Sequence, residues 1–167
     1  SIVDPLNLYC PPPVDTKGER LIGKQSYIGH KKIVYDPVES QVDGSMSRYN
    51  HPSYKSIHKL ILKLIQNILK MDLLPTYYFD RFYYEGQELS RHIDRPSCEI
   101  SATVCLDWND SNCEERKPWP IWIKNEQGEV AINLEPGDAM VYKGCEVEHW
   151  REPFHGNACA QVFYHYT

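Results

Sequence analysis

The strongest constraint on the fold is a run of short, strand-like segments that fills the second half of the chain. Between residues 77 and 166, stretches rich in Tyr, Phe, Val, Ile and Trp alternate with turn signals such as Asn109 with Asp110, or Pro136 with Gly137. Strand formers divided by Gly, Pro, Asn and Asp are typical of antiparallel sheets. Several short strands at this spacing predict a β-sandwich or barrel. The predicted strands are 77–84, 89–94, 100–108, 119–124, 130–134, 139–142, 147–150 and 160–166.

An amphipathic helix precedes these strands. Apolar residues recur at helical spacing from residue 57 to residue 68, with lysines falling largely between them. This pattern predicts a helix over 53–71, with Ser53 as the N-cap residue. Its apolar stripe should pack against a flat surface, such as the outer face of a sheet. The stripe consists of Ile57, Leu60, Ile61, Leu64, Ile65 and Ile68.

The remaining N-terminal segments have little periodicity. Residues 1–20 are rich in proline and predict an extended arm on the surface, and residues 36–52 predict a polar loop. Both segments are candidates for a lid over a pocket. At 167 residues the chain fits one domain, which we take to span 1–167.

Composition excludes several classes of protein. A net charge of −5 argues against a nucleic-acid binder, which normally carries a basic face. No apolar run approaches the ~20 residues that span a bilayer, so we expect no membrane association. Residues 1–13 lack the charged-then-apolar layout of a signal peptide. The six cysteines form no C-x-x-C pair, which favours reduced, structural thiols and a cytoplasmic protein.

His92 and Asp94 are the first residues that indicate chemistry. Residues two apart on a strand point to the same side, so both side chains would aim at one spot, with Ile93 packed behind them. His149, on a distant predicted strand, is the leading candidate for a third ligand. Two histidines and one carboxylate on one face of an octahedron are the ligands of non-haem Fe(II) oxygenases. Structural zinc sites prefer a closed tetrahedral set, which this spacing does not suggest.

In this context the sequence resembles the iron(II)- and 2-oxoglutarate-dependent oxygenase superfamily, and within it the prolyl-4-hydroxylase-like branch. The resemblance covers residues 77–166 and consists of ordered parts around the His-x-Asp pair and the distal histidine. Those parts are Tyr84-x-Gly86, His92-x-Asp94, Leu106-Asp107, Leu134-x-Pro136-Gly137-Asp138-Ala139, and His149-Trp150-Arg151-Glu152-Pro153 followed by Gly156.

The resemblance implies a mostly β fold with flanking helices, namely a double-stranded β-helix of the jelly-roll or cupin-like type. Its parts would be the 1–20 arm, the 53–71 supporting helix and a 77–166 catalytic barrel. It also implies a hydroxylase that uses Fe(II), 2-oxoglutarate and O2, with ascorbate as an activator. Its metal ligands would be His92, Asp94 and His149, and its substrate a prolyl peptide or a small amino-acid-like molecule.

The anchor for the cosubstrate's distal carboxylate departs from the family pattern. Relatives usually carry Arg or Lys on the last strand two residues after the loop glycine, where this chain has Ala158, and no Lys or Arg follows Arg151. A buried carboxylate requires a donating partner. We expect Arg151 to supply it, with Lys143 and Arg91 as alternatives, and Tyr84 to donate a hydroxyl. Cys105 stands where relatives often carry a cosubstrate-binding tyrosine.

The missing basic anchor leaves a second interpretation open. The chain could be a cupin-like module that binds a metal or ligand without turnover. Binding of 2-oxoglutarate to the metal-loaded protein separates this interpretation from an oxygenase. The oligomeric state is not indicated by the sequence.

Overall fold

The computed structural model describes residues 25–28, 31–36, 41–109 and 118–167, with the backbone alone for residues 25–36. In this part of the chain, eleven strands accompany one α-helix, α1 (Lys55–Leu69). The strands are β1 (Gln25–Ile28), β2 (Lys31–Asp36), β3 (Met46–Tyr49), β4 (Pro75–Tyr84), β5 (Leu89–His92), β6 (Ile100–Asn109), β7 (Ile121–Asn125), β8 (Gly128–Ile132), β9 (Ala139–Lys143), β10 (His149–Arg151) and β11 (Ala158–Tyr166). Short 3-10 turns occupy Pro52–Tyr54 and Pro96–Cys98.

The strands form two antiparallel sheets. The large sheet has the order β1-β2-β3-β4-β11-β6-β9, and the small sheet has the order β5-β10-β7-β8. From β4 onward the chain passes repeatedly between the two sheets, and this alternation is the topology of a double-stranded β-helix. The expected fold and all eight strands predicted between 77 and 166 are confirmed, with ends shifted by at most two residues.

The main core lies between the two sheets. Phe79, Met140 and Phe163 of the large sheet pack there with Leu89 and Ile121 of the small sheet. Alternating side chains of β4, β6 and β11 therefore point inward, as the two-residue period of a strand requires. This inward face also carries the polar groups of the site described below.

The second core lies between α1 and the outer face of the large sheet. Ile65 and His58 of the helix are buried against Tyr78, Tyr164 and Tyr166. His58 is hydrogen-bonded through Nε2 to the carbonyl of His165 (3.2 Å), and the Tyr166 hydroxyl donates to the carbonyl of His58 (3.0 Å).

Four of the six residues of the predicted apolar stripe on α1 are exposed instead of packing against the sheet. Ile57, Leu60, Leu64 and Ile68 are 41%, 64%, 58% and 65% exposed. The buried face of the helix is therefore rotated about the helix axis relative to the predicted stripe. His58, which hydropathy alone assigns to the polar face, packs against the tyrosines of the sheet instead.

Local details of the N-terminal half differ from the sequence expectations. Ser53 is not the N-cap of α1, because it lies inside the 3-10 turn, where its N–H meets Nδ1 of His51. The predicted 36–52 loop contains β3, whose polar residues are buried. Arg48 of β3 forms an ion pair with Asp80 of β4. The sequence around residue 48 does not show this partner, so hydropathy alone predicts an exposed polar segment. The predicted 1–20 arm lies outside the described residues.

Two expectations from composition bear on the described residues. No helix there is long and apolar enough to cross a membrane. Four of the six cysteines lie in this part of the chain, and all four are free thiols: Cys98, Cys105, Cys145 and Cys159. Cys10 and Cys113 lie outside the described residues.

Candidate metal centre

Strand pairing brings the two predicted histidine ligands together. His92 is the last residue of β5, His149 is the first of β10, and they are direct partners in the antiparallel register. Their ring centroids are 4.3 Å apart. The T-shaped contact of His149 with Tyr142, at 4.7 Å, supports its ring from the large sheet.

Both histidine rings are oriented by a hydrogen bond from Nδ1 to a backbone carbonyl two residues earlier in the chain. Nδ1 of His92 is 2.7 Å from the carbonyl of Ser90, and Nδ1 of His149 is 2.8 Å from the carbonyl of Val147. A carbonyl oxygen only accepts, so each Nδ1 carries the hydrogen and each neutral ring keeps an unprotonated Nε2. Metal-binding histidines typically donate a hydrogen bond from the ring nitrogen that does not bind the metal.

Asp94 completes the group from just beyond the end of β5. Its Oδ1 is 3.6 Å from Nε2 of His92 and 3.6 Å from Nε2 of His149. The Asp94 N–H donates to the carbonyl of Gly144 (2.8 Å), and Oδ2 accepts from Ser101 Oγ (3.0 Å). Ile93 is not packed behind the pair as expected, because the strand ends at His92 and this side chain is half exposed.

Gly144 is required for the approach of Asp94. A Cβ at this position would lie 2.3 Å from the carbonyl oxygen of Cys98 and 2.5 Å from Oδ2 of Asp94. Both distances are far below van der Waals contact, so any larger residue would push the carboxylate out of place.

The protonation states suit metal binding. Burial raises the pKa of Asp94, but the neighbouring His92, His149 and His165 and the hydrogen bond from Ser101 outweigh it and lower the pKa. Burial lowers the pKa of His149, against the opposing effects of the Val147 carbonyl and Asp94. The group therefore presents an ionised carboxylate and, at His149, a neutral imidazole at pH 7, which are the forms that bind cations.

The three donor atoms fit one metal ion. All of them lie within 4.8 Å of one another, whereas two ligands at right angles with bonds of ~2.1 Å are roughly 3.0 Å apart. Closing each of the two Asp94–histidine distances from 3.6 Å requires a movement of about half an ångström. Two histidines and one carboxylate that leave positions open are the set typical of non-haem Fe(II).

A cavity of about 300 Å³ opens at these three residues and extends between the sheets. Four tyrosine and phenylalanine rings contribute to its lining, namely Tyr49, Tyr77, Phe79 and Phe163. Gln41 and Tyr49, from the segment expected to form a lid, contribute to this lining.

The cosubstrate residues expected from the sequence do not line this cavity. Tyr84 is on the opposite face of β4 from the inward-facing Tyr83, because the register with β11 is regular from Tyr78 to Tyr84. Arg151 is 1% exposed, stacks on Trp119 at 4.7 Å and donates to the Trp119 carbonyl (2.6 Å). Arg91 and Lys143 pair with glutamates on the exposed surface.

Several polar residues at the cavity were missed by sequence reasoning. Arg81 lines it from β4, and His165 lines it from β11, where Nδ1 is 2.9 Å from Ser101 Oγ. His165, Cys98 and Asp94 form a second group of potential ligands, which shares Asp94 with the first. Arg81 had one sequence signal: it shares the two-residue period of Tyr77, Phe79 and Tyr83.

Solved structures of other proteins share this architecture. A prolyl-4-hydroxylase from Pseudomonas putida aligns with a TM-score of 0.61 and 17% identity over 79% of this chain and 76% of that chain. An oxidoreductase of the 2OG-Fe(II) oxygenase family from Burkholderia pseudomallei aligns with a TM-score of 0.62 and 13% identity over 80% and 71%.

A third similar structure covers nearly the whole chain. It is a prolyl hydroxylase from Trichoplax adhaerens in complex with a peptide fragment of the hypoxia inducible factor oxygen degradation domain. The TM-score is 0.57 and the identity 14%, over 96% of this chain and 74% of that chain. No protein-family model and no curated protein sequence matches the chain. At these identities the likeness concerns structure: the chain has the double-stranded β-helix fold of the prolyl hydroxylases and 2OG-Fe(II) oxygenases.

Proposed function

We propose that this protein is an Fe(II)- and 2-oxoglutarate-dependent dioxygenase that hydroxylates a prolyl peptide or a small amino-acid-like substrate. The observation that carries the proposal is the convergence of His92, Asp94 and His149 on the wall of a cavity between the two sheets. The fold shared with 2OG-Fe(II) oxygenases supports it. The peptide bound to the Trichoplax adhaerens structure makes a peptide substrate the first class to test.

In this proposal His92, Asp94 and His149 hold the metal. Iron bound there would couple the oxidation of 2-oxoglutarate by O2 to succinate and CO2 with the insertion of one oxygen atom into a substrate C–H bond. The chain's own share is placement. The Nδ1 bonds of both histidines fix their rings, and Ser101 and Gly144 fix Asp94.

The direct test is turnover of 2-oxoglutarate. We expect protein loaded with Fe(II) under reducing conditions to form succinate from 2-oxoglutarate and O2, with ascorbate sustaining activity. His149→Ala should abolish both metal binding and succinate formation. His155→Ala removes an exposed histidine from the same part of the chain and should leave both intact. Incubation with proline-containing peptides, read by mass spectrometry for the gain of one oxygen atom, tests the substrate class.

One observation favours the cupin-like alternative, a module that binds without turnover. The last strand, β11, carries no lysine or arginine. Metal-loaded protein that neither binds nor decarboxylates 2-oxoglutarate would refute the dioxygenase and leave this alternative standing. We also propose a cytoplasmic location, because free thiols such as the four observed persist in reducing compartments.

A further inference from the structure

The cavity contains a buried cation that no sequence motif indicated. Arg81 is 1% exposed and lines the cavity together with the three candidate metal ligands. In the antiparallel register it is the direct partner of Gln161 on β11. A guanidinium therefore stands beside the last strand, although that strand has no cation of its own.

Neighbouring residues hold this guanidinium in one orientation. Nε donates to Ser47 Oγ (3.3 Å) and Nη1 donates to the hydroxyl of Tyr83 (3.1 Å). The guanidinium carbon also lies 5.2 Å from the ring centre of Phe79 and 5.7 Å from that of Phe163. These contacts hold the guanidinium in place, with Nη2 facing Gln41.

Gln41 connects Arg81 to the candidate metal ligands. Its Oε1 accepts from Nη2 of Arg81 (2.9 Å), while its Nε2 is 2.8 Å from Nε2 of His92. Because the oxygen and nitrogen of an amide are roughly 2.2 Å apart, Nη2 of Arg81 and Nε2 of His92 are separated by at most about 8 Å. The carboxamide oxygen thus occupies the position in which a carboxylate oxygen would meet Arg81.

This separation suits a 2-oxo acid with a second carboxylate. Five carbons in an extended chain place the two carboxyl carbons about 5 Å apart. Donor contacts of ~2–3 Å at each end bring the total to about 9–11 Å. A metal bound ~2 Å from Nε2 of His92 would lie at most about 10 Å from Nη2 of Arg81, which is within this range. An arginine also offers the paired N–H groups that a carboxylate accepts. The positive charge of a buried guanidinium also favours an anion beside it.

We propose that Arg81 of β4 anchors the distal carboxylate of the 2-oxo acid, and that this acid and the metal displace the Gln41 side chain. The inference rests on the proposed function. It replaces Arg151 as the anchor, because the guanidinium of Arg151 is stacked on Trp119 outside the cavity lining. Arg95 also lines the cavity, but it is exposed and donates to the hydroxyl of Tyr77 (3.2 Å). Arg151 still has Nε and Nη2 without a hydrogen-bond partner among the described residues, so it is the competing buried candidate.

The test compares two 2-oxo acids that differ only at the distal end. Isothermal titration of the Mn(II)-loaded protein, without turnover, gives the affinities of 2-oxoglutarate and of 2-oxopentanoate, which has a methyl group in place of the distal carboxylate. We expect wild-type protein to prefer 2-oxoglutarate. Arg81→Met should lower its affinity for 2-oxoglutarate by about 10- to 100-fold, the usual loss for hydrogen bonds to a charged group. Its affinity for 2-oxopentanoate and for Mn(II) alone should stay the same, which also shows that the variant is folded.

Three further variants complete the design. Lys124→Met removes an exposed cation from β7 and should change nothing. Arg151→Met should retain the preference for 2-oxoglutarate. Gln41→Ala alters an exposed residue and should tighten 2-oxoglutarate binding severalfold, because the competing amide is gone.

The outcomes separate the two proposals. If Arg81→Met keeps the preference, or if Arg151→Met alone loses it, Arg81 is not the anchor while the dioxygenase proposal survives. Weaker or unchanged binding in Gln41→Ala would overturn the displacement of Gln41. If wild-type protein binds Mn(II) but neither 2-oxo acid, it is the proposed function that fails.

Discussion

Ser101 links the candidate metal centre to the last strand through one hydroxyl group. Its single hydrogen is donated to Oδ2 of Asp94 (3.0 Å), so the contact with Nδ1 of His165 (2.9 Å) requires His165 to donate. The carboxylate is thereby oriented through Ser101 by a residue of β11. Groups of this kind, which hold a ligand without touching the metal, influence affinity strongly.

We therefore predict that Ser101→Ala weakens binding of Co(II) by about 10- to 100-fold, the usual loss for such a supporting group. The measurement is a titration followed by visible absorption of the bound ion. Thr103→Val is the matched control, since Thr103 lies on the same face of β6 and its hydroxyl has no hydrogen-bond partner among the described residues. Equal affinities for Ser101→Ala and wild type would contradict the positioning role.

The orientation of α1 on the large sheet can be tested with two adjacent residues. Ile65 is 2% exposed in the second core, while Leu64 is 58% exposed. Ile65→Ala should lower the free energy of unfolding by roughly 2–5 kcal/mol, because it leaves a cavity in a packed interior. Leu64→Ala should change it by less than about 0.5 kcal/mol. Urea unfolding measures both, and a larger loss for Leu64→Ala would reverse the assignment of the buried face.

The docking of α1 also depends on pH. Burial lowers the pKa of His58 from its ordinary value of 6.5, against the opposing effect of the His165 carbonyl. The unfolded chain therefore binds a proton more readily at this residue. Its contribution to stability is complete above pH 6.5 and is lost as the pH falls below that value.

We predict that His58→Gln reduces the pH dependence of the free energy of unfolding between pH 7.5 and 5.5. The glutamine keeps a polar group at this position but cannot be protonated in that range. Unfolding in urea at several pH values, compared with wild type, measures the difference. Parallel curves for the two proteins would mean that His58 does not titrate differently in the folded and unfolded states.

A metal bound at the proposed site should stabilise the folded state, because the three candidate ligands converge only when β5 and β10 pair. An ion that binds the native state alone adds about 2.7 kcal/mol at a free concentration 100 times its Kd. We predict a rise in Tm of the chelator-treated protein on addition of Mn(II), reversed by EDTA. Asp94→Ala should show no such rise. A rise of equal size in that variant would place the ion elsewhere.

The sequence alone was sufficient for much of this architecture. Alternation and turn residues predicted the eight strands from 77 to 166, because a strand with one face in a core must alternate and a chain reversal needs Gly, Pro, Asn or Asp. The same two-residue period predicted that His92 and Asp94 face one spot. His149 was the third candidate ligand, and the pairing of β5 with β10 brings this residue beside His92.

Tertiary contacts alone decided which buried polar groups meet. Arg81 can be buried because its guanidinium donates hydrogen bonds to Ser47, Tyr83 and Gln41. Ser101 is important because its hydroxyl contacts both Asp94 and His165. Likewise, α1 turns His58 toward the sheet and leaves Leu64 exposed. Periodicity along a chain tells which side chains share a face, but not which remote groups satisfy them. A polar group is buried only where those partners exist.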